Sequence, residues 1–239
     1  MNLLVLNLII IFQAGIFLIT AIAQWKDYRN KGLGFGKIPR ILLSLSMVIT
    51  AGILFLNQTS FQRSNIMIFI GMLFSFFGDL VMAAIIKTKN RLAYGMFLFS
   101  FTHISYTIAY LAVIWNNTNS SYLIGFYIAI LVLILLICRM IYSSLQKQNE
   151  QENSKELKNK KYSIIYGGII FNMFLSSFLL YITLGGRWWM TTLSAIIFMI
   201  SDGIIALKDI AHKNIKHSEF LIWLTYVIAQ MGIICSILI

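Results

Sequence analysis

Apolar residues fall along this chain in eight blocks, at about 3–24, 39–57, 65–86, 93–115, 121–143, 162–182, 188–207 and 219–239, with polar and charged residues gathered between them. Roughly 20 apolar residues in helical form cross a bilayer core. Hydrocarbon offers no partner to a backbone amide, so spanning segments of this length are helices that satisfy their own hydrogen bonds. The pattern predicts an all-α integral membrane protein, an eight-transmembrane-helix bundle forming a single polytopic domain over 1–239. The first block has no basic segment before it and no small-residue cleavage site, so it reads as a retained helix and not as a signal peptide. One segment, QKQNEQENSKELKNKK at 146–161, is plainly water-soluble. It predicts a charged cytoplasmic loop, flexible or in a short helix.

Composition agrees with this reading. The chain is 59% hydrophobic and 11% charged, whereas soluble domains carry about 25% charged residues. A net charge of +11 would suggest nucleic acid if the bases formed a patch, and they do not. Every Lys and Arg except Arg63 and Arg187 lies in or beside the first, third, fifth and seventh loops. That asymmetry is a positive-inside signal. It excludes nucleic acid as a partner and predicts a multi-pass protein, expected in the cell (plasma) membrane, with both termini outside the cytoplasm. The partners it implies are the lipid bilayer and its anionic headgroups. Cys138 and Cys235 fall inside helices without CxxC spacing, and are read as buried apolar thiols. Nothing in the sequence fixes an oligomeric state.

Two residues break the apolar pattern in near-matching contexts: Asp79 in FSFFGDLVMA and Asp202 in IFMISDGIIA. An acid within a spanning helix costs roughly 2.5–3.5 kcal/mol on insertion scales and marks a functional site by default. The halves of the chain echo one another around these acids. Each acid follows a small residue, Gly78 or Ser201, and precedes an alanine, Ala83 or Ala206, by the same step. The step from Asp79 to His103 also leads from Asp202 to Tyr226. Four helices per half return the chain to its starting side, so such an echo admits two parallel four-helix repeats. With a rise of 1.5 Å per residue, Asp79 lies about 12 Å from the basic edge of the membrane, Asp202 about 9 Å, Tyr226 about 10 Å, Asn172 about 16 Å and His103 about 18 Å. A cavity opening to the cytoplasmic leaflet would gather these groups.

Helical spacing adds neighbours. Phe99, His103, Tyr106 and Tyr110 share one face of the fourth helix, and Trp223, Tyr226 and Gln230 one face of the eighth. Such stripes are packing surfaces in most helices, but here they also suit a pocket for a greasy chain with a polar end. The bland reading of the acids is structural, with each hydrogen-bonded to Asn172 or a tyrosine. Only one histidine, His103, lies within a span, too few for a zinc site with about three converging ligands. There is no GxSxG motif, and SDGIIA lacks the further spaced aspartates that would hold Mg²⁺. No metal and no cofactor are expected.

Taken together, FSFFGDLVMA, YGMFLFSFTHISY, IIFMISDGIIAL and LTYVIAQMGI resemble, in order and spacing, the YhhN family of eight-helix membrane proteins, the lysoplasmalogenases. The resemblance runs from about residue 69 to the C-terminus. The first quarter adds only Lys37-Ile-Pro39 before the second helix. Ser194-Ala195 stands where a glycine is common in the family, and the long charged loop is this chain's own. What the resemblance implies is hydrolysis of the vinyl ether bond of a lysophospholipid substrate, a lysoplasmalogen, to a fatty aldehyde and a glycerophospho-alcohol. That chemistry needs an acid to protonate carbon and an anion beside the resulting oxocarbenium ion, as the carboxyl pair of a glycosidase provides. Asp79 and Asp202 are the expected catalytic pair. His103, Tyr106, Asn172, Tyr226 and Gln230 would orient water and tune the acids. Lys37, with Arg40, Lys87 and Lys208, would meet the phosphate. A transporter or flippase of a small amphiphile using the two acids as proton or cation sites is the competing expectation, and a non-enzymatic lipid-binding scaffold the third.

Overall fold

A computed structural model describes residues 11–22, 25, 37–57, 62–118, 121–148 and 154–235. Among these residues all regular structure is helical. The helices are α1 (Ile11–Ile22), α2 (Lys37–Asn57), α3 (Gln62–Met82), α4 (Arg91–Asn117), α5 (Ser121–Gln148), α6 (Ser154–Leu184), α7 (Trp189–Ile205) and α8 (Ser218–Cys235). Six of the eight, α3 to α8, contain stretches long and apolar enough to cross a membrane; Ile11–Ile22 and Arg40–Leu56 are shorter apolar helices.

The helix ends differ from the hydropathy blocks where local backbone chemistry intervenes. The third block was expected to reach residue 86, but α3 stops at Met82. Ala84 turns the chain through the left-handed region at φ 56°, and the Ile85 and Ile86 amides fold back onto the Leu80 carbonyl. An alanine is strained there in a way glycine would not be. The seventh block was expected to run to residue 207. Instead α7 gives way after Ile205 to a single π-helical turn, Ala206–Ile210, a widening often found beside functional groups. Of the charged segment expected as a loop over 146–161, residues 146–148 complete α5 and 154–161 form the first turns of α6. The remainder of it lies outside the described residues. Gly185 and Gly186, both at positive φ, make the turn from α6 to α7.

Packing organises six of the helices into a closed ring. α2 packs on α3, α3 on α4, α4 on α6, α6 on α7, α7 on α8, and α8 returns to α2. Outside the ring, α5 lies against α6. α1 lies against α2 and α8: Gln13 Nε2 donates to the Ser46 carbonyl (2.8 Å) and to Thr50 Oγ1, and Phe17 stacks on Trp223. Advancing the labels by four reproduces the ring and its outer pair, with α2–α3 becoming α6–α7, α3–α4 becoming α7–α8 and α1–α2 becoming α5–α6. Side chains follow suit. One sequence offset carries Gly78 to Ser201 and Phe99 to Ile222. A methyl group on Gly78 would sit 2.8 Å from the Phe99 ring, and Ser201 Oγ donates to the Ile222 carbonyl.

The core is the interior of this ring, with Leu43, Tyr106, Met173, Phe198 and Ile233 fully enclosed. In a membrane the ring does not close by excluding water, since lipid tails are as apolar as leucine; close packing of small residues does that work. Gly71 supplies it between α3 and α4. A methyl group there would lie 2.4 Å from Tyr106 Cε1.

Candidate active site

Asp79, near the end of α3, turns into the ring. Its Oδ2 accepts hydrogen bonds from Ser44 Oγ on α2 (2.5 Å) and Tyr226 Oη on α8 (2.7 Å). The donors continue behind it. Tyr106 Oη donates to Gln230 Oε1 (2.8 Å), Gln230 Nε2 donates to Ser75 Oγ (2.5 Å), and Ser75 lies 2.6 Å from Tyr226 Oη. With Tyr226 donating to Asp79, the Ser75 hydroxyl donates to Tyr226. Five side chains on three helices thus form one directed chain ending on the carboxyl. Buried polar groups that are fully partnered are rigid and costly to disturb.

Asp202, near the end of α7, is held by the equivalent helices. Tyr166 Oη on α6 donates to its Oδ2 (2.6 Å), and His103 Nε2 on α4 lies 3.8 Å away. His103 is fully enclosed. Its Nε2 is 3.2 Å from Tyr166 Oη, its Nδ1 is 3.2 Å from Met173 Sδ, and Phe198 packs edge-on against the ring. The two acids therefore have parallel surroundings. Each takes a hydroxyl from the first ring helix of its own half, α2 or α6. Each also meets the last helix of the opposite half, through Tyr226 on α8 or His103 on α4.

Both acids line one cavity of about 360 Å³. Its charged end carries Arg40, Arg91, Lys208, Asp209 and Glu219. Glu219 accepts from Arg40 (3.4 Å) and from Lys208, an ion-paired cluster across α2, the π turn and α8. These side chains are about a third to two-fifths exposed, so they shape the local potential more than they add stability. A second cavity, about 200 Å³ and almost entirely apolar, lies between α4, α6 and α7. The two share Met82, Phe99, Asp202 and Ile205. Asp202 stands at their junction, whereas Asp79 faces the polar cavity alone.

Among the residues expected at the site, Asp79, Tyr226, Gln230 and Tyr106 are linked in one network and Asp202 and His103 stand together in the other. Asn172 is elsewhere: it accepts from Tyr127 Oη (2.7 Å) between α6 and α5, because its position on α6 faces away from the ring interior. Tyrosines and a serine, not Asn172, bond the acids. Arg40 and Lys208 line the polar cavity, joined by Arg91, while Lys87 does not. The Lys37 side chain lies outside the described residues. Sequence reasoning passed over three contributors. Ser75 is an ordinary serine in a span, and Ser44 and Tyr166 are reachable only through the internal echo, since the offset between the acids carries Ser44 to the residue beside Tyr166. Among the described residues no group of three or more His, Cys, Asp or Glu side chains converges in a way that could hold a metal ion.

An all-helical fold with membrane-length apolar helices and a pair of internal carboxyls on one cavity defines a class: helical membrane proteins with a buried acid site. The sequence model of the YhhN family matches residues 39–237, and the chain belongs to that family. No curated protein and no solved structure matches it.

Proposed function

We propose that this protein is a membrane-embedded hydrolase that cleaves the vinyl ether bond of a lysoplasmalogen. The observation that carries the reading is the pair of carboxyls, from equivalent helices, on a single cavity that has a charged end and an apolar continuation. The family's implied activity suggests the bond, and the geometry supports a division of roles between the two acids. With the phosphate among Arg40, Arg91 and Lys208 and the chain in the apolar cavity, the alkenyl group falls beside Asp202 at the junction.

Vinyl ether hydrolysis begins with proton transfer to the alkenyl carbon farther from oxygen, the one on the chain side. In this reading Asp202 delivers that proton. Positive charge then develops on the carbon bonded to oxygen, on the headgroup side, where Asp79 faces the cavity. Asp79 accepts hydrogen bonds from Ser44 and Tyr226, and in this reading it is the anionic partner. It stabilises the oxocarbenium ion and takes a proton from the water that adds to it. As the hemiacetal collapses, Asp79 passes its proton to the departing glycerol oxygen, the hydroxyl proton goes to Asp202, and the aldehyde is left. Tyr166, 3.2 Å from His103, orients Asp202 through the hydrogen bond it donates.

The test is release of fatty aldehyde from a lysoplasmalogen by the purified protein in detergent, with an ester lysophospholipid as control. Asp79→Asn and Asp202→Asn are each expected to lose about 10²- to 10⁴-fold in kcat, the usual range for a positioned acid or base. Without its internal acid, the residual rate of Asp202→Asn should rise in proportion to hydronium concentration, whereas Asp79→Asn should not show that dependence. Full turnover by both variants would end the carboxyl-pair mechanism. Absence of aldehyde together with vesicle uptake of the amphiphile would favour the transporter instead.

A further inference from the structure

Lipid-facing helix surfaces are covered by large apolar side chains, and two glycines interrupt that cover at one place. On α7, Ile196, Ile200 and Gly203 follow the spacing of a single face, with Leu207 beyond them in the π turn, and the three large residues are 39%, 51% and 41% exposed. On α6, Gly167 shares a face with Phe171 and Phe178, which are also exposed. Gly167 and Gly203 are themselves exposed, and both line the apolar cavity. A methyl group built on either would meet no atom within 4 Å. Glycine in a helix interior costs about 1 kcal/mol relative to alanine, and neither position has a close neighbour that demands it. This differs from Gly71 and Gly78, which are packed against rings.

The internal echo sharpens the point. The offset that superimposes Asp79 on Asp202 carries Leu80 to Gly203 and Ser44 to Gly167. In the first half the equivalent positions hold side chains, and Ser44 bonds Asp79. Only the second half leaves them empty, beside the acid that stands at the cavity junction.

We propose that the apolar cavity opens sideways into the bilayer between α6 and α7, through a door framed by Gly167 and Gly203, and that it admits the hydrocarbon chain of a membrane amphiphile. Three observations choose this occupant. Gly167 and Gly203 are exposed among large apolar side chains on two membrane-length helical segments. The lining of the cavity is almost wholly apolar, with Asp202 and Tyr166 at the inner end. It continues at Asp202 into the cavity where Arg40, Arg91 and Lys208 can receive an anionic headgroup. The proposal concerns binding and stands whether or not the bound molecule is hydrolysed.

The test places a bimane fluorophore at Gly203→Cys in full-length protein with Cys138→Ala and Cys235→Ala, reconstituted in nanodiscs. The probe is an ester lysophospholipid brominated along its chain, which quenches on contact. Saturable quenching is expected at Gly203→Cys. At Ile196→Cys, on the same face but away from the cavity, quenching should rise only as the lipid partitions. Gly167→Leu should raise the half-saturating concentration at least tenfold, and Gly167→Ala, which the space accommodates, much less. Quenching at Gly203→Cys that is no more saturable than at Ile196→Cys overturns the proposal, as does saturable quenching unmoved by Gly167→Leu in protein of unchanged melting temperature. Saturable quenching in a protein that releases no aldehyde retains the door and removes the hydrolase reading.

Discussion

At the residue scale, each carboxyl is defined by its donors. A hydrogen bond to a charged group contributes about 1.5–3 kcal/mol. If the bond strengthens as the acid changes charge, its loss appears in kcat and not in KM. Ser44→Ala and Tyr166→Phe are therefore expected to slow aldehyde release about 10- to 100-fold with KM within a factor of about two. A uniform rise in KM would instead make them substrate contacts. The acids were legible in the sequence because a charge in an apolar helix is conspicuous. Tyr226, Gln230 and His103 were legible because they share helical faces. Ser44 and Tyr166 were not, since a serine or tyrosine in a span is ordinary until another helix brings an acid to it. Asn172 was misleading for the matching reason: its depth suited the site, but its direction on α6 did not.

At the element scale, contact between helices depends on a few small residues. Gly71→Ala would push a methyl group to 2.4 Å from Tyr106 Cε1, and Tyr106 is fully buried and bonded to Gln230. Overpacking of this kind costs about 1–3 kcal/mol, so this variant should melt measurably below the parent, as read by thermal unfolding in detergent. Gly125→Ala, where a methyl group would meet nothing within 4 Å, should not. The helices themselves were visible as apolar blocks, but their ends were not. Hydropathy continues through Ile85 and Ile86, and only the left-handed turn at Ala84 stops α3 at Met82. The π turn after Ile205 was equally hidden, and two of its residues, Lys208 and Asp209, line the cavity.

At the scale of the whole molecule, the neighbour relations of α1 to α4 recur in α5 to α8, and each half has its own strongly basic first loop. Each half therefore has its own orientation signal and offers the other the same two contacts, α4 on α6 and α8 on α2. Residues 1–119 and 120–239 co-expressed as separate chains are expected to co-purify and to recover a substantial part of the parent's lipid binding. Either half alone should be unstable, because it holds only one acid and half of each polar network. Failure of the halves to associate would mean that the covalent link between α4 and α5 is needed to assemble the ring.

The sequence by itself determined the solvent in which this chain folds, its helical character and the two acids, because bilayer thickness and the cost of buried charge act on single segments. The echo between its halves was also present in the sequence, although its meaning was not. Tertiary structure decided which hydroxyls hold each acid, that both acids share a cavity, and that two exposed glycines line its apolar neighbour. Those outcomes depend on the direction in which each side chain leaves its helix and on what the neighbouring helix places there. A linear pattern of apolar residues contains neither.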